Sequence, residues 1–273
     1  MKSQERQSRP RKRASRFGIR LFAQAAAPIL TLATLFVVWE TACRLLGVPE
    51  FLLPAPSAIL EAGLALGADA WAGHVAATLR VALMGYAAAI AISLPLAVML
   101  ALSPLLSRTI YPILVMIHST PIVAVAPIIV VMLGVGDLPR VVITCIIAFF
   151  PLVISTATGI LSTPDELVEL SRSLRATRSR EILQIRLPYA IPYIFSALKV
   201  SITLAVVGAV VAEFVAAERG LGYAILFATS SFRTPQAFAE LVVLVALSLL
   251  LFGSIVLIQS CFFPWSVPRD QRS

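Results

Sequence analysis

The sequence contains little charge: only 13% of its 273 residues are Asp, Glu, Lys or Arg, about half of the share found in soluble domains. The hydrophobic fraction is 59% and the mean hydropathy is +0.93. A helix needs about 20 apolar residues to cross the hydrocarbon core of a bilayer. Six runs reach about this length with at most one charged residue, which predicts an all-α integral membrane protein with six transmembrane helices. The runs are Leu21–Trp39, Val81–Ser107, Thr109–Gly136, Val141–Pro164, Pro188–Ala212 and Leu241–Pro268.

Prolines, glycines and charges at the ends of these runs set the expected helix limits. We expect a short surface helix over about 57–66, with Ser57 as its N-cap. In the third helix, Pro121 and Pro127 leave backbone carbonyls to be satisfied by neighbours or water. The first run is too long for a signal peptide, and Trp39-Glu40 replaces the expected small residues, so we expect an uncleaved helix. The predicted helices cover about 21–46, 74–102, 110–133, 140–161, 190–215 and 237–262.

Histidine and cysteine are also scarce, with two and three residues respectively. Cys43, Cys145 and Cys261 lie inside apolar runs without the spacing of a metal site or a disulfide framework. The sequence has no GxxxxGK[ST] phosphate loop, and it lacks the convergent acid, base or metal ligands that an intramembrane enzyme needs. We therefore expect no enzymatic activity and no cofactor bound by this chain.

Positive charge is distributed unevenly along the chain and predicts its orientation. With the N-terminus in the cytoplasm, sixteen Lys and Arg residues fall on the inner side. Only five lie near the outer side: Arg44, Arg80, Arg140, Arg219 and Arg233. Both termini are therefore expected in the cytoplasm, with the basic arm 1–20 on the anionic leaflet. This asymmetry accounts for the net charge of +8 without a nucleic-acid partner.

One interior segment, 164–188, concentrates five arginines and four acids between two apolar runs. Thr163 as N-cap, Pro164 at the first position and Glu166 three residues after the cap predict a capped helix start. The leucines that follow, at 167, 170 and 174, form one apolar stripe. A second short helix, carrying Ile182 and Ile185, is expected to end near residue 187 because Pro188 disfavours helix at the preceding position.

Two placements of this segment are possible: flat on the lipid headgroups, or against a protein partner. Mixed charge suits a protein surface better, because an anionic leaflet favours unmixed basic charge.

The spacing of this segment resembles the EAA loop of ABC importer permeases. The family pattern is E-A-A, three residues, Gly, nine residues, then I-x-L-P. Here Glu169-Leu170-Ser171 is followed at the same spacing by Arg175 and by Ile185-x-Leu187-Pro188. Further segments resemble the branch that handles sulfonates, taurine, nitrate, thiamine precursors and riboflavin-like substrates, and the resemblance covers roughly 50–265. These segments are LLPAPS (52–57), TPIVAVAPI (120–128), LGVG (133–136), and Glu213 with GLGY (220–223).

Three positions depart from the family pattern. Leu170 and Ser171 replace the two alanines, and Arg175 replaces the glycine. A glycine at a helix C-terminus usually adopts a left-handed conformation, which costs other residues about 1 kcal/mol. Either the turn differs here, or Arg175 contributes a contact of its own to the partner.

The resemblance implies a six-helix bundle of the type I ABC importer permease kind with a cytoplasmic two-helix coupling loop at 163–188. The chain then divides into a basic tail (1–20), a first helix with an external segment (21–69), a core permease domain (70–265) and a second tail (266–273). It also implies a location in the bacterial inner membrane, where the chain associates with a second permease copy, most simply as a homodimer. On the cytoplasmic side the expected partner is an ABC ATPase dimer that binds ATP and Mg. On the other side it is a periplasmic or lipid-anchored solute-binding protein. The residues expected to couple to the ATPase are Glu169, Leu170, Leu174, Arg175, Ile185, Leu187 and Pro188.

Polar residues within the runs are candidates for a translocation pathway: His118, Thr120, Pro121 and Lys199. His118 also fits a packing role, and Lys199 also fits snorkelling toward the cytoplasm. Glu40 is expected to reach the outer interface or to pair with Arg44, four residues on. Glu213, near the outer end of the fifth helix, is expected to form a structural pair.

The alternative function is an ion-coupled secondary transporter, which also uses broken helices and membrane-embedded charges. It has no need of the charged loop. The substrate stays open.

Overall fold

The structure, a computed structural model, describes residues 30–267. These residues form helices joined by short connections, with no β-strand among them. The predicted tail 1–20, the start of the first helix at 21–29 and the residues after 267 lie outside the described residues. The all-helical architecture follows from the apolar runs, because a backbone inside lipid must satisfy its own hydrogen bonds.

The first two helices are α1 (residues 30–45) and α2 (Pro56–Ala65), and one carboxylate ties them together. Glu40 forms the predicted ion pair with Arg44, which confirms that expectation. It also accepts hydrogen bonds from the Ser57 amide at 3.0 Å and the Ser57 hydroxyl at 2.8 Å. The prediction of Ser57 as N-cap is wrong: Ala55 is the cap residue, and the Ser57 hydroxyl binds Glu40 instead.

Four continuous helical segments are long and apolar enough to cross a membrane. They are α3 (Ala68–Leu102), α6 (Asp137–Leu161), a 39-residue segment Arg178–Ala216 that contains α9 (Leu187–Ala216), and α11 (Thr234–Phe262). A bent pair, α4 (Pro104–Ser119) and α5 (Ile122–Leu133), adds a fifth if it counts as one span.

Helices α3, α6 and α9 pack around a core of small residues. Ala89, Ala148 and Ala205 are fully buried where they meet. The Tyr86 hydroxyl donates to the Leu198 carbonyl at 3.0 Å, and the Ser93 hydroxyl donates to the Phe149 carbonyl at 3.2 Å. Close packing and inter-helix hydrogen bonds are the main forces between helices in lipid, where the hydrophobic effect gives no drive.

The predicted third helix is broken, which corrects the expectation of one helix over 110–133. Helices α4 and α5 meet at 96° on either side of Thr120-Pro121. Pro121 has no N–H to donate to the Ile117 carbonyl, and the Thr120 N–H takes that carbonyl instead at 3.2 Å. The missing donor and the proline ring together end the first helix and allow the bend.

The charged loop forms α7 (Asp165–Ser173) and α8 (Arg178–Glu181). The predicted helix start is wrong in detail. Pro164 is the cap residue of α7, and the Thr163 hydroxyl donates to the Ile160 carbonyl at 3.0 Å instead of capping.

The predicted end of the second loop helix near residue 187 is also wrong. Helix α8 continues through a π-helical turn, Ile182–Arg186, directly into α9. In that turn the Leu187 N–H bonds the Ile182 carbonyl, five residues back. The wider turn makes room for the ring of Pro188, which in a regular helix clashes with the carbonyl four residues before it.

A tenth helix, α10 (Leu221–Ser230), lies between α9 and α11 and was not predicted. It starts at Gly220, whose φ of 135° favours glycine. Ten residues are too few for a membrane span, so length and hydropathy alone did not separate this helix from its surroundings.

Candidate functional site

The coupling-loop residues of α7 divide between two faces. Val168 is 4% exposed and Ser171 is buried, so these two residues fix the helix to the rest of the molecule. On the opposite side Leu170 is 58% exposed and Leu174 is 74% exposed. Glu169 is exposed beside them and forms no ion pair or side-chain hydrogen bond within residues 30–267. The loop therefore presents bare leucines and an unpaired carboxylate on a segment at the end of the membrane-spanning helices.

The turn after α7 is held in a Schellman arrangement around Arg175. The Arg175 N–H bonds the Arg172 carbonyl at 2.9 Å, and the Ala176 N–H bonds the Ser171 carbonyl at 3.0 Å. Arg175 has a φ of 53°, the left-handed conformation that glycine adopts without strain. The turn thus has the geometry that a glycine would give, and arginine holds it at a conformational cost.

One buried carboxylate joins the two loop helices. Glu181 forms ion pairs with Arg186 at 2.8 Å and with Arg172 at 3.4 Å. The hydrogen bond from Arg186, together with the positive charges of Arg186 and Arg172, lowers the pKa of the Glu181 carboxyl. Sequence reasoning noted the mixed charges but not this pairing, because the partners are nine and five residues from Glu181 and belong to different helices.

The remaining predicted coupling residues lie in the joint between the loop and α9. Ile185 is in the π-helical turn, and Leu187 and Pro188 are the first two residues of α9. All three are half-buried. Nearby, the Arg178 guanidinium donates to the Leu102 carbonyl at the end of α3, at 2.8 Å. The loop is thus continuous with one spanning helix and hydrogen-bonded to the end of another.

Three predicted pathway residues lie at the bend between α4 and α5. The His118 ring is stacked on Phe150 of α6, with centroids 4.1 Å apart and planes 7° apart. The Thr120 hydroxyl donates to the Met116 carbonyl at 3.0 Å, and Pro121 is the cap residue of α5. The predicted packing role of His118 therefore has a partner in Phe150.

Lys199 lies in the middle third of α9 and is half-buried. Its ammonium group forms no ion pair or hydrogen bond with any part of the chain that the structure describes. The structure therefore shows no hydrogen bond or ion pair that joins Lys199 to the described residues of the α4–α5 bend.

At the other end of α9, Glu213 is the centre of a buried polar cluster. Its carboxylate accepts from the Thr78 hydroxyl of α3 at 2.8 Å and from the Gly222 N–H of α10 at 2.7 Å. The Thr78 hydroxyl accepts from the Leu221 N–H at 2.8 Å, and the His74 ring accepts from the Gly220 N–H at 3.2 Å. Glu213 thus caps the N-terminus of α10. Its role is structural, as expected, but its hydrogen-bond partners are a hydroxyl and a backbone N–H instead of a charged side chain, and His74 and Thr78 were missed.

The glycines of GLGY explain why this cluster needs them. A Cβ on Gly220 would overlap the Glu213 carboxyl, and a Cβ on Gly222 would lie 2.8 Å from a carboxyl oxygen. These two glycines were the signal in the sequence that a buried group approaches here.

Within residues 30–267 no group of three or more His, Cys, Asp or Glu residues is arranged to hold a metal ion. The described sites are a loop with exposed leucines and an unpaired carboxylate, a broken helix, and buried hydrogen bonds between long apolar helices. Together they are the features of an integral membrane protein with polar sites in its interior.

Comparison with known proteins identifies the family of this chain. Residues 92–263, more than half of the chain, match the family of binding-protein-dependent transport system inner membrane components, and the chain belongs to this family. The predicted resemblance to ABC importer permeases is confirmed, and members of this family are membrane permease subunits, not enzymes.

Individual relatives match over most of their length. The formylaminopyrimidine transport permease protein ThiX of Halalkalibacterium halodurans is 31% identical, over 89% of this chain and 96% of its own. The riboflavin transport system permease protein RibX of Chloroflexus aurantiacus is 35% identical, over 86% and 88%. The taurine transport system permease protein TauC of Escherichia coli is 28% identical, over 90% and 91%.

The fold also matches solved structures. A chain of the MetNI methionine ABC transporter, solved in an inward-facing conformation, superposes with a TM-score of 0.61 at 21% sequence identity. The match covers 71% of this chain and 97% of that one. It shows that the all-helical fold of this chain is shared with a chain of that ABC transporter.

Proposed function

We propose that this chain is the transmembrane permease subunit of an ATP-driven importer and that it couples ATP hydrolysis by a partner ATPase to solute translocation. The observation that carries the proposal is the solvent-exposed face of α7, where Leu170 and Leu174 are exposed beside the unpaired Glu169. Apolar side chains next to one free charge fit a groove on a protein better than they fit water.

In this proposal the ATPase, not the permease, binds ATP and Mg. Glu169 pairs with a basic residue of the ATPase groove, and Leu170 and Leu174 fill that groove. Arg175 lies at the tip of the loop, where its guanidinium can reach the same partner. The strain at its backbone is then offset by a contact that glycine cannot make.

The joint with α9 supports a mechanical role for the loop. Because Arg178–Ala216 is one unbroken helical segment, a displacement of α8 moves the spanning helix with it. A flexible turn at Pro188 would absorb such a displacement. We therefore assign Ile185, Leu187 and Pro188 to transmission of movement rather than to docking.

We further propose the six-span topology in the bacterial inner membrane, with both termini in the cytoplasm. The sixteen-to-five distribution of basic residues supports this orientation. The bent pair α4–α5 counts as one span, and the apolar run Leu21–Trp39, predicted from the sequence, accounts for the first. A second copy of the chain and a periplasmic or lipid-anchored solute-binding protein complete the importer.

His118, Thr120, Pro121 and Lys199 are proposed to line the translocation pathway. The 96° break supports this role, because irregular backbone inside a membrane occurs where it lines a cavity or is buried in protein. The free ammonium group of Lys199 supports it as well, since such a charge in a membrane helix faces water or a bundle interior.

The substrate class is a small organic solute or oxyanion of the sulfonate, taurine, nitrate, thiamine-precursor or riboflavin type. The names of the relatives, which include a formylaminopyrimidine, a riboflavin and a taurine permease, span this range.

Affinity purification of the tagged chain from solubilised native membranes tests the docking proposal. We expect wild type to recover an ATP-binding subunit in stoichiometric amount and Glu169→Arg to lose it. Glu61→Arg is the matched control, because Glu61 is an exposed acid on α2, outside the loop. An unchanged elution profile in gel filtration shows that both variants fold.

Absence of an ATPase with wild type contradicts the importer proposal. The alternative is then an ion-coupled secondary transporter, which is tested by uptake into vesicles driven by a proton or sodium gradient without ATP. Equal recovery with wild type and Glu169→Arg keeps the importer but removes Glu169 from its coupling site.

A further inference from the structure

A second polar site lies at the end of the bundle opposite the loop 163–188. Helix α6 runs from Asp137 at this end to Leu161 beside the loop, and α9 runs from the loop to Ala216. Between the first half of α3, the start of α6 and the α9–α10 connection there is a cavity of about 560 Å³. This volume falls within the usual range of roughly 300 to 1,000 Å³ for small-molecule sites.

Three arginines line this cavity: Arg80 from α3, Arg140 from α6 and Arg219 from the α9–α10 connection. We call this cavity with its three arginines the arginine vestibule. Gly73, Ala76 and Ala77 of α3 form part of its wall, so that no large side chain fills the space.

The arginines have unused hydrogen-bonding capacity. Arg80 and Arg140 both pair with one carboxylate, that of Asp137, and the Arg140 contact is 2.7 Å. Arg140 also donates from Nε to the Gly136 carbonyl at 2.9 Å. The Arg219 side chain has no ion pair or hydrogen bond within residues 30–267. Because each guanidinium carries five N–H donors, most donors of the three are free.

The charge balance of the vestibule is positive. Glu218 is the only carboxylate among its lining residues, and Asp137 lies behind Arg80 and Arg140. The lining residues thus carry three positive charges and one negative charge, and the carboxylates of Asp137 and Glu213 beside Arg140 offset part of this excess. Glu213 is also close to Arg140, but it is buried and already bonded to the Thr78 hydroxyl and the Gly222 N–H, so it is closed to a ligand.

We propose that the arginine vestibule binds the anionic group of a small molecule: a sulfonate, carboxylate, phosphate or similar oxyanion. Planar guanidinium groups bind such oxygens with two parallel hydrogen bonds, which gives geometric selectivity as well as attraction. Asp137 holds Arg80 and Arg140 in place, and Arg219 supplies the unpaired charge. A soluble solute and the phosphodiester of a lipid headgroup share this chemistry.

A role of the vestibule in receiving solute rests on the importer function proposed above, whereas anion binding does not. The test therefore measures binding to the purified full-length chain without ATPase or transport. A failure to find an ATPase partner leaves this measurement unaffected, and a failure here leaves the importer proposal standing without an anionic substrate site.

The test is thermal unfolding in a neutral detergent with sodium methanesulfonate, nitrate, phosphate or acetate, each replacing sodium chloride at constant ionic strength. Binding to the folded state alone raises the Tm in step with the logarithm of 1 + [anion]/Kd, by roughly 3 to 6 °C at ten times the Kd. We expect at least one of these anions to give such a rise with wild type.

Variants of the unpaired arginine show whether the rise comes from the vestibule. Arg219→Gln, which breaks no ion pair or hydrogen bond within residues 30–267, is expected to lose most of the rise, and Arg219→Lys to keep part of it. Arg233→Gln is the matched control, since Arg233 is exposed but does not line the cavity, and it is expected to keep the full rise. Equal rises in wild type and Arg219→Gln overturn the proposal.

A further measurement with short-chain lipids distinguishes a soluble anion from the phosphodiester of a lipid headgroup. Dihexanoyl phosphatidylglycerol is compared with dihexanoyl phosphatidylcholine, which has the same chains and a zwitterionic headgroup. A rise with phosphatidylglycerol alone, lost in Arg219→Gln, supports the site and identifies a lipid phosphodiester as its ligand. A rise with the soluble anions supports the site and identifies a solute. The absence of a rise that Arg219→Gln abolishes, with the soluble anions and with the lipids alike, overturns the proposal.

Discussion

At the scale of single residues, the loop shows how one substitution in a family pattern is accommodated. Arg175 stands where the pattern has glycine, and the turn around it nevertheless has the left-handed φ and both hydrogen bonds of the Schellman arrangement. Of the two alternatives that the sequence left open, the different turn is therefore wrong. The strain stays in the chain, which is consistent with a contact of Arg175 with the partner.

Replacing Arg175 by glycine is expected to stabilise the isolated chain. Relief of the left-handed conformation contributes about 1 kcal/mol, which corresponds to a rise in Tm of roughly 2 to 4 °C. Thermal unfolding of the purified protein measures this change. Arg175→Ala is the control, since it removes the same side chain but keeps a Cβ, and it should give no rise. A Tm of Arg175→Gly at or below the wild-type value contradicts the strain argument.

At the scale of helices, close approach between α3, α6 and α9 depends on glycine at the crossing points. A Cβ on Gly208 of α9 would lie 2.8 Å from the Thr144 Cα of α6, and a Cβ on Gly85 of α3 would overlap the Thr144 side chain. Backbone atoms cannot move aside as a flexible side chain can. The three helices therefore meet at Thr144 only because two glycines surround it.

Gly208→Ala is expected to destabilise the bundle although alanine is the better helix former. The added methyl group forces α6 and α9 apart, at a cost of roughly 1 to 3 kcal/mol. Gly253→Ala is the matched control, because a Cβ on Gly253 of α11 meets no atom within 4 Å. The Tm should fall in the first variant and stay the same or rise in the second. Equal Tm values for the two would show that the crossing tolerates a side chain.

At several helix ends, predictions from local sequence preferences were wrong. Pro188 was expected to end a helix, and the π-helical turn before it removed the clash on which that expectation depended. Thr163 and Ser57 both had the side chain of an N-cap, but the Ile160 carbonyl and the Glu40 carboxylate compete for their hydroxyls. Such competition comes from residues that are brought close by the fold, and local propensity does not contain it.

At the scale of the whole molecule, the two ends of the bundle differ in what they offer. The loop 163–188 exposes leucines and an unpaired acid, and the opposite end holds the arginine vestibule and the Glu213 cluster. The long helical segment Arg178–Ala216 connects the two ends. In the proposed mechanism, this segment would transmit a movement of the loop to the region around the cavity.

Site-directed labelling is expected to place the two ends on opposite sides of the membrane. In a variant whose three native cysteines are replaced, Ser173→Cys marks the loop and Ser231→Cys marks the α10–α11 turn, and both positions are exposed. A membrane-impermeant maleimide should label position 231 in intact spheroplasts and position 173 only in inverted vesicles. Labelling of both from the same side would contradict the orientation inferred from the positive charges.

The sequence by itself determined the class of protein, the last residues of four spanning helices to within one residue, and the charged loop between two of these helices. Apolar length and charge spacing are properties of the chain alone, because lipid accepts few other arrangements. Glu169, Leu170 and Leu174 could be singled out in the same way, from spacing and resemblance.

Only the tertiary structure decided which distant residues meet. Contacts between separate elements decide four features: the 96° bend, the continuous α8–α9 helix, the ion pairs of Glu181 with Arg172 and Arg186, and the grouping of three arginines at one cavity. Arg80 lies more than fifty residues from Arg140, and Arg140 almost eighty from Arg219. No local pattern links them, because packing of α3 against α6 and α9 is what brings their side chains to one cavity.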